Sequence, residues 1–166
     1  LNKTIFYATV LFTLAILAFF AYGDVKETQF QASPWMDTVV TREEFTALEW
    51  IRVNTLERAV FVTDIFGGEL IMGETLREGV EGGDWAVVPG VVKRMHDVQY
   101  EFYGSTNAKQ AWNTARKYGA EYAWIPNRRI FAGYEWKTPL ENNKEFENST
   151  FFEKVFDNGV KIYKVK

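Results

Sequence analysis

Ile5 to Tyr22 (IFYATVLFTLAILAFFAY) runs for eighteen residues without a charge. As an α-helix it rises about 27 Å at ~1.5 Å per residue, which just spans a hydrocarbon core. A helix in a soluble core carries a polar stripe on its outer side. Here only Thr9 and Thr13 interrupt the apolar surface. The segment is therefore expected in a membrane, or in the core of a filament, with its side chains against lipid or other subunits. Lys3 precedes it, which favours insertion with the N-terminus inside and the following chain outside. Tyr7 and Tyr22 lie near its ends, where interfacial aromatics belong. A cleavable signal peptide fits less well, because the n-region is very short and no clean A-x-A site precedes Asp24. The sequence starts on Leu, which leaves open a fragment, a processed chain or a non-standard start codon.

Three regions follow from this: 1–24 as the hydrophobic helix, 25–40 as an irregular connector holding Pro34 and Trp35, and 41–166 as one globular domain. The size of the last suits a single core. Aromatics make up 17% of residues, which argues against disorder. The net charge is -3 with Lys and Arg scattered, so no basic surface for a phosphate backbone is visible and nucleic acid is not expected as a partner. The absence of cysteine excludes disulfides, thiolate catalysis and zinc on sulfur.

Thr41-Arg42-Glu43-Glu44 reads as a capping box, and Phe45, Leu48 and Ile51 recur at helical spacing to about Val53. Ala59 to Thr63 is a buried strand by its β-branched and aromatic content. It ends at Asp64, before Gly67-Gly68. A short helix or turn at Leu70 to Gly73, a second strand at Arg77 to Val80 and a loop at 81–84 come next. Val91, Val92, Met95, Val98 and Phe102 follow helical spacing. Ser105 or Thr106 caps a helix over Asn107 to Tyr118, with Gly119 at its C-terminal end. Glu121 to Ile125 is the next strand, 137–149 a polar loop, and Val155 to Val165 a hairpin turning at Asp157-Asn158-Gly159. The expected fold is α/β: a transmembrane-type helix, then a mainly parallel, Rossmann-like sheet with helices and a C-terminal β-hairpin.

Catalytic signatures are absent. There is no nucleophile elbow, no H-E-x-x-H, no Walker loop and no D-x-D. His96, the one histidine, reads as a helix-surface residue. No catalytic residue, metal site or cofactor is expected. The suggestive cluster for ligand binding is Asp64, Gly67 and Gly68 after the first strand, with Arg77, Asp84 and Trp85 soon after. Open α/β sheets place ligands at the carboxyl ends of strands, Arg and Asp bond hydroxyls, and Trp stacks on a sugar face or lipid. The same residues also suit turn glycines, a helix cap and a core Trp. Pro126-Asn127-Arg128-Arg129 can meet an anionic group or be a solvated loop. Asn148-Ser149-Thr150 is an N-glycosylation acceptor sequence if the domain lies outside the cytoplasm.

Four stretches carry a resemblance: ALEWIRVNTLERAVFVTD (47–64), GETLREGVEGGDW (73–85), ARKYGAEYAWIP (115–126) and FFEKVFDNGVKIYKV (151–165). In their order they resemble the C-terminal extracytoplasmic domain of archaeal multi-pass membrane glycosyltransferases that use lipid-linked sugars, the mannosyltransferase and oligosaccharyltransferase-like group. The resemblance implies that Ile5–Tyr22 is a last transmembrane helix at the cell membrane. It also implies an extracytoplasmic accessory or binding domain without its own catalytic centre, with a glycan or lipid-linked sugar as partner. The family's catalytic acidic residues lie between earlier transmembrane helices that are not in this sequence. Thr75-Leu76-Arg77 also departs from the family's turn. The alternative is a pilin-like subunit of an extracellular filament, assembled through the same helix.

Overall fold

The computed structural model describes residues 3–36, 40–82, 89–137 and 145–166. It divides into two units, Leu1–Thr38 and Val39–Lys166. The first is α1, Lys3–Met36, 34 residues long. It is the one helix among the described residues that is long and apolar enough to cross a membrane, and its most apolar stretch is unburied. The connector expected from residue 25 is helical as far as Met36. Asp24 to Ser33 contains neither Gly nor Pro, and local pairs continue the winding. Lys26 sits over the Tyr22 ring at 4.6 Å, and Gln31 Nε2 donates to Glu27 at 2.9 Å. Pro34 lies inside the helix, two residues before Met36.

The second unit begins with α2, Arg42–Asn54. Its capping box is formed: the Glu44 amide donates to Thr41 Oγ1, and the Thr41 amide donates to a Glu44 carboxylate oxygen at 2.7 Å. Then come β1 (Val60–Val62), α3 (Ile65–Thr75), β2 (Glu78–Gly79) and α4 (Val91–His96). A π-helical segment, Asp97–Phe102, follows α4, and α5 (Ala108–Lys117) comes next. Asn107, rather than Ser105 or Thr106, caps α5 through its side chain. The chain ends with β3 (Tyr122–Ile125), β4 (Ile130–Phe131), β5 (Trp136–Lys137), β6 (Phe152–Asp157) and β7 (Lys161–Val165).

The main sheet has the order β2-β1-β3-β7-β6, and β4 and β5 form a small antiparallel pair. β1 pairs in parallel with β2 and β3, whereas β7 pairs antiparallel with β3 and β6. The sheet is therefore mixed. The expected parallel character holds for its first three strands, and the hairpin contributes the rest.

Both faces of the sheet are covered, which is why its strands read as apolar runs. Phe61, Trp124 and Ile162 meet Ala47, Leu48 and Ile51 of α2 and Ile71 of α3. Their neighbours Val62, Ala123, Ile125 and Tyr163 turn to the other side, onto Val98, Phe102, Ala111 and Ala115. Successive strand residues point to opposite faces, so one short strand supplies two cores.

Asp97 at the head of the π-helical segment anchors the second face. It is buried, and it accepts from the Tyr118 hydroxyl at 2.6 Å, from Lys93 at 3.3 Å and from Lys117. Burial alone would raise its pKa, but the Lys117, Tyr118 and Lys93 hydrogen bonds outweigh it and hold the carboxyl at about 2. A group depressed from its ordinary value stabilises the fold above that value, and the stability is lost as pH falls through the folded pKa. Asp97→Asn is expected to cost about 1–2 kcal/mol near neutral pH, discounted because the lysines are partly solvated. The difference from the unsubstituted chain should vanish towards pH 2. Thermal unfolding of both proteins across that range checks this.

Candidate functional site

Parallel pairing of β2, β1 and β3 brings three carboxyl ends to one edge of the sheet. Glu81 follows β2, Asp64 follows β1 and Arg128 follows β3. Asp64 is the N-cap of α3, and one of its oxygens accepts from the Gly67 amide at 3.1 Å. The same carboxylate takes both terminal nitrogens of Arg128, at 2.8 and 3.3 Å, and the Phe131 amide at 3.3 Å. Arg128 Nε donates at 3.0 Å to Glu44, whose other oxygen serves the capping box of α2. Arg128 has a side-chain exposure of 9%, and Glu44 and Asp64 have 0%. This is a buried acid–base–acid bridge joining α2, the β1–α3 turn and the segment after β3. Burial raises the Glu44 pKa, against the opposing pull of Arg128.

The two glycines after Asp64 are there for close packing. A Cβ at Gly67 would meet Thr63 Oγ1, Asp64 Oδ1 and Trp124 Nε1. A Cβ at Gly68 would run into the backbone carbonyl of Glu81. The first turn of α3 thus lies directly on the end of β2, where only a residue without a side chain fits.

Glu81 is the unusual member of this edge. It is 6% exposed, and among the described residues neither carboxyl oxygen has a hydrogen-bond partner. Burial is the main cause that pushes its pKa up to about 9, with the Asp64 charge adding to it and Arg94 opposing. It borders a cavity of about 220 Å³ whose walls include Ile65, Met72, Val91, Arg94 and Met95. Arg94 Nη1 is directed at the Val80 carbonyl at 3.4 Å.

Of the ligand residues expected from sequence, Asp64, Gly67 and Gly68 are together at this edge. Arg77 is not. It precedes β2, at the opposite end of the strands, and closes the C-terminus of α2 by donating to the carbonyls of Thr55 at 2.7 Å and Arg52 at 3.0 Å. Asp84 and Trp85 lie outside the described residues. Asn148 is exposed in a turn, where its side-chain oxygen accepts from the Thr150 amide at 3.0 Å. His96 is exposed on its helix, beside the Tyr100 and Tyr134 rings. Among the described residues no three His, Asp or Glu side chains are placed to hold a metal. Sequence reasoning missed Glu81, Glu44 as an ion-pair member and the pairing of Arg128 with Asp64. A carboxylate beside Gly82-Gly83 reads as a loop residue until its burial is known.

No family model matches the sequence, and no curated protein matches it. A solved structure does match: the C-terminal globular domain of an oligosaccharyltransferase from Archaeoglobus fulgidus. The TM-score is 0.54 at 18% identity, covering 76% of this chain and 99% of that domain. The globular unit thus has the fold of an oligosaccharyltransferase C-terminal domain, with an apolar helix at the N-terminal end of the chain.

Two substitutions test the electrostatics of the edge. Arg128→Lys leaves a point charge that cannot serve both carboxylates, and should destabilise the domain by roughly 3–5 kcal/mol, read from denaturant unfolding. Glu81 is raised above its ordinary value of 4.5, so the folded chain holds a proton that the unfolded chain releases. Stability therefore falls as pH rises between 4.5 and about 9. Glu81→Gln has no proton to hold, and should be more stable than the unsubstituted chain at pH 8 by on the order of 3 kcal/mol, with the gain absent at pH 4. Melting temperatures at the two pH values decide it.

Proposed function

We propose that this chain is a membrane-anchored accessory or binding domain related to archaeal envelope glycosyltransferases, with the globular unit outside the cytoplasm and no catalytic centre of its own. The observation that carries the reading is the fold likeness, which extends over nearly all of an oligosaccharyltransferase C-terminal domain. Two features support it. The apolar helix is unburied, as a lipid-facing segment is. The edge of the sheet beyond β1 and β3 is held by a buried charge bridge with the stiffness of a scaffold. In this reading a multi-pass transferase working on lipid-linked sugars is the partner. The exposed Asn148 is itself available to a glycan.

The absence of cysteine makes topology directly testable. Single cysteines are placed at exposed Lys109 in the domain and at Lys3, at the N-terminal end of the apolar helix. In intact cells a membrane-impermeant maleimide should label Lys109→Cys and leave Lys3→Cys unlabelled until lysis. The reverse pattern would overturn the placement. In mild detergent the tagged chain should co-purify with a multi-pass glycosyltransferase, identified by mass spectrometry. A homogeneous particle containing this chain alone, or a regular filament, would overturn the accessory reading.

A further inference from the structure

Two stretches of the sequence fit the N-glycosylation acceptor pattern, Asn2-Lys3-Thr4 and Asn148-Ser149-Thr150. They flank the apolar run Ile5–Tyr22 in the chain, so a membrane crossed by that run puts them in different compartments.

The second stretch has the geometry of an acceptor in the folded chain. Asn148, Ser149 and Thr150 are all exposed. The turn that carries them is fixed by its backbone, because the Phe151 and Phe152 amides both donate to the Asn148 carbonyl at 3.0 Å. The Asn148 side chain is held through its oxygen, which accepts from the Thr150 amide at 3.0 Å. Among the described residues, Asn148 Nδ2 and the Thr150 hydroxyl have no hydrogen-bond partner.

Asn148 also lines a groove of about 490 Å³ between this turn and the first turn of α5. Sites for small organic ligands span roughly 300–1,000 Å³, so the groove has room for a sugar. Phe151 supplies the apolar part of its wall, with its ring 5.6 Å from that of Trp112. An aromatic ring offers the flat apolar surface on which the C–H face of a sugar packs. Exposed Thr106 and Asn107 line the groove from the side of α5. Asn107 Oδ1 is taken by the amides of Lys109 and Gln110, which leaves its Nδ2 and the Thr106 hydroxyl for sugar hydroxyls.

We infer that Asn148 carries an N-linked glycan whose first sugar lies in this groove, with its apolar face on Phe151 and its hydroxyls towards Thr106 and Asn107. The inference rests on the outward placement of the globular unit proposed above, and adds to it an attachment atom and a seat. In the transfer, Asn148 Nδ2 forms a bond to the anomeric carbon of a lipid-linked sugar. The C–O bond from that carbon to the lipid phosphate breaks, its electron pair leaves with the phosphate, and Nδ2 gives up one proton. The seated glycan then ties the turn to the start of α5 and slows its local opening.

The full chain is expressed in archaeal cells whose oligosaccharyltransferase modifies a co-expressed reporter sequon, and again in bacteria that lack such an enzyme. Mass spectrometry should find a glycan on Asn148, within the tryptic peptide Glu145–Lys154, in the archaeal product and none on Asn2. Thr150→Ala should abolish the modification, and Thr150→Ser should retain it. In lipid nanodiscs, amide exchange at Phe151 and Phe152 should be at least about fivefold slower in the glycosylated product than in the bacterial one. Nuclear Overhauser contacts should connect sugar protons with the Phe151 ring. Phe151→Leu keeps an apolar side chain beside Trp112, and should be glycosylated equally but lose most of the slowing. A glycan on Asn148 with neither slower exchange nor contact to Phe151 would overturn the seat. An unmodified Asn148 in a chain whose Lys109→Cys variant is labelled from outside would overturn the attachment and leave the outward placement standing. A glycan on Asn2 with none on Asn148 would overturn both.

Discussion

One guanidinium holds the globular unit in register with itself. Arg128 reaches Glu44 on α2, 84 residues away, and Asp64 at the head of α3, 64 residues away. Removing three charges from water costs several kcal/mol per ion, and attraction alone does not reliably recover it. What makes the arrangement tolerable is that neither carboxylate depends on Arg128 alone. Glu44 also accepts from the Thr41 amide, and Asp64 also accepts from the amides of Gly67 and Phe131. Two helix caps and one strand-end loop therefore share a single cation, and displacing any of them strands a buried charge. The helix starts and the sheet edge are fixed by the same bonds.

The direction of the strands decides where such an edge can exist. β2, β1 and β3 run in parallel, so the residues that follow them gather on one side. β7 runs opposite to β3, and therefore contributes its first residues there instead of its last. Lone carboxyl-end residues accumulate only over the parallel part, and that is where Glu81, Asp64 and Arg128 are found. Gly68 completes the arrangement by letting α3 descend onto the Glu81 carbonyl. The helix then closes the wall of the cavity with Ile65 and Met72.

Local signals in the sequence were sufficient for local structure. Thr41 and Glu44 specify a capping box by spacing, and Gly119 takes a positive φ of 70° after α5 as its position implies. The terminal hairpin is equally legible, because Asn158-Gly159 sits between alternating apolar residues. The extent of α1 was harder to read. Pro34 and Trp35 suggest a linker, yet nothing before them prevents the helix from continuing. The candidate site was half legible. Asp64 and the glycines announce a strand end, but Arg77 and Arg128 look alike as loop arginines. Only tertiary placement sends one to the backbone of α2 and the other to two carboxylates. Glu81 carried no signal at all, because burial of a side chain next to glycines depends on elements far along the chain.

That contrast bears on which residues of the edge are available for chemistry. An identity of 18% with a solved domain establishes shape and leaves the roles of single side chains to their surroundings. Asp64 satisfies the motif expectation for a ligand residue, but its oxygens already accept from Arg128, Gly67 and Phe131. A ligand recruiting it would have to replace a bond that the fold needs. Gly68 is likewise filled by its neighbour. Glu81 is the reverse case: it fits no motif, it is covered by protein, and among the described residues neither of its carboxyl oxygens has a hydrogen-bond partner. Hydrogen-bond satisfaction therefore separates the structural carboxylates of this edge from the one that still has bonds to offer.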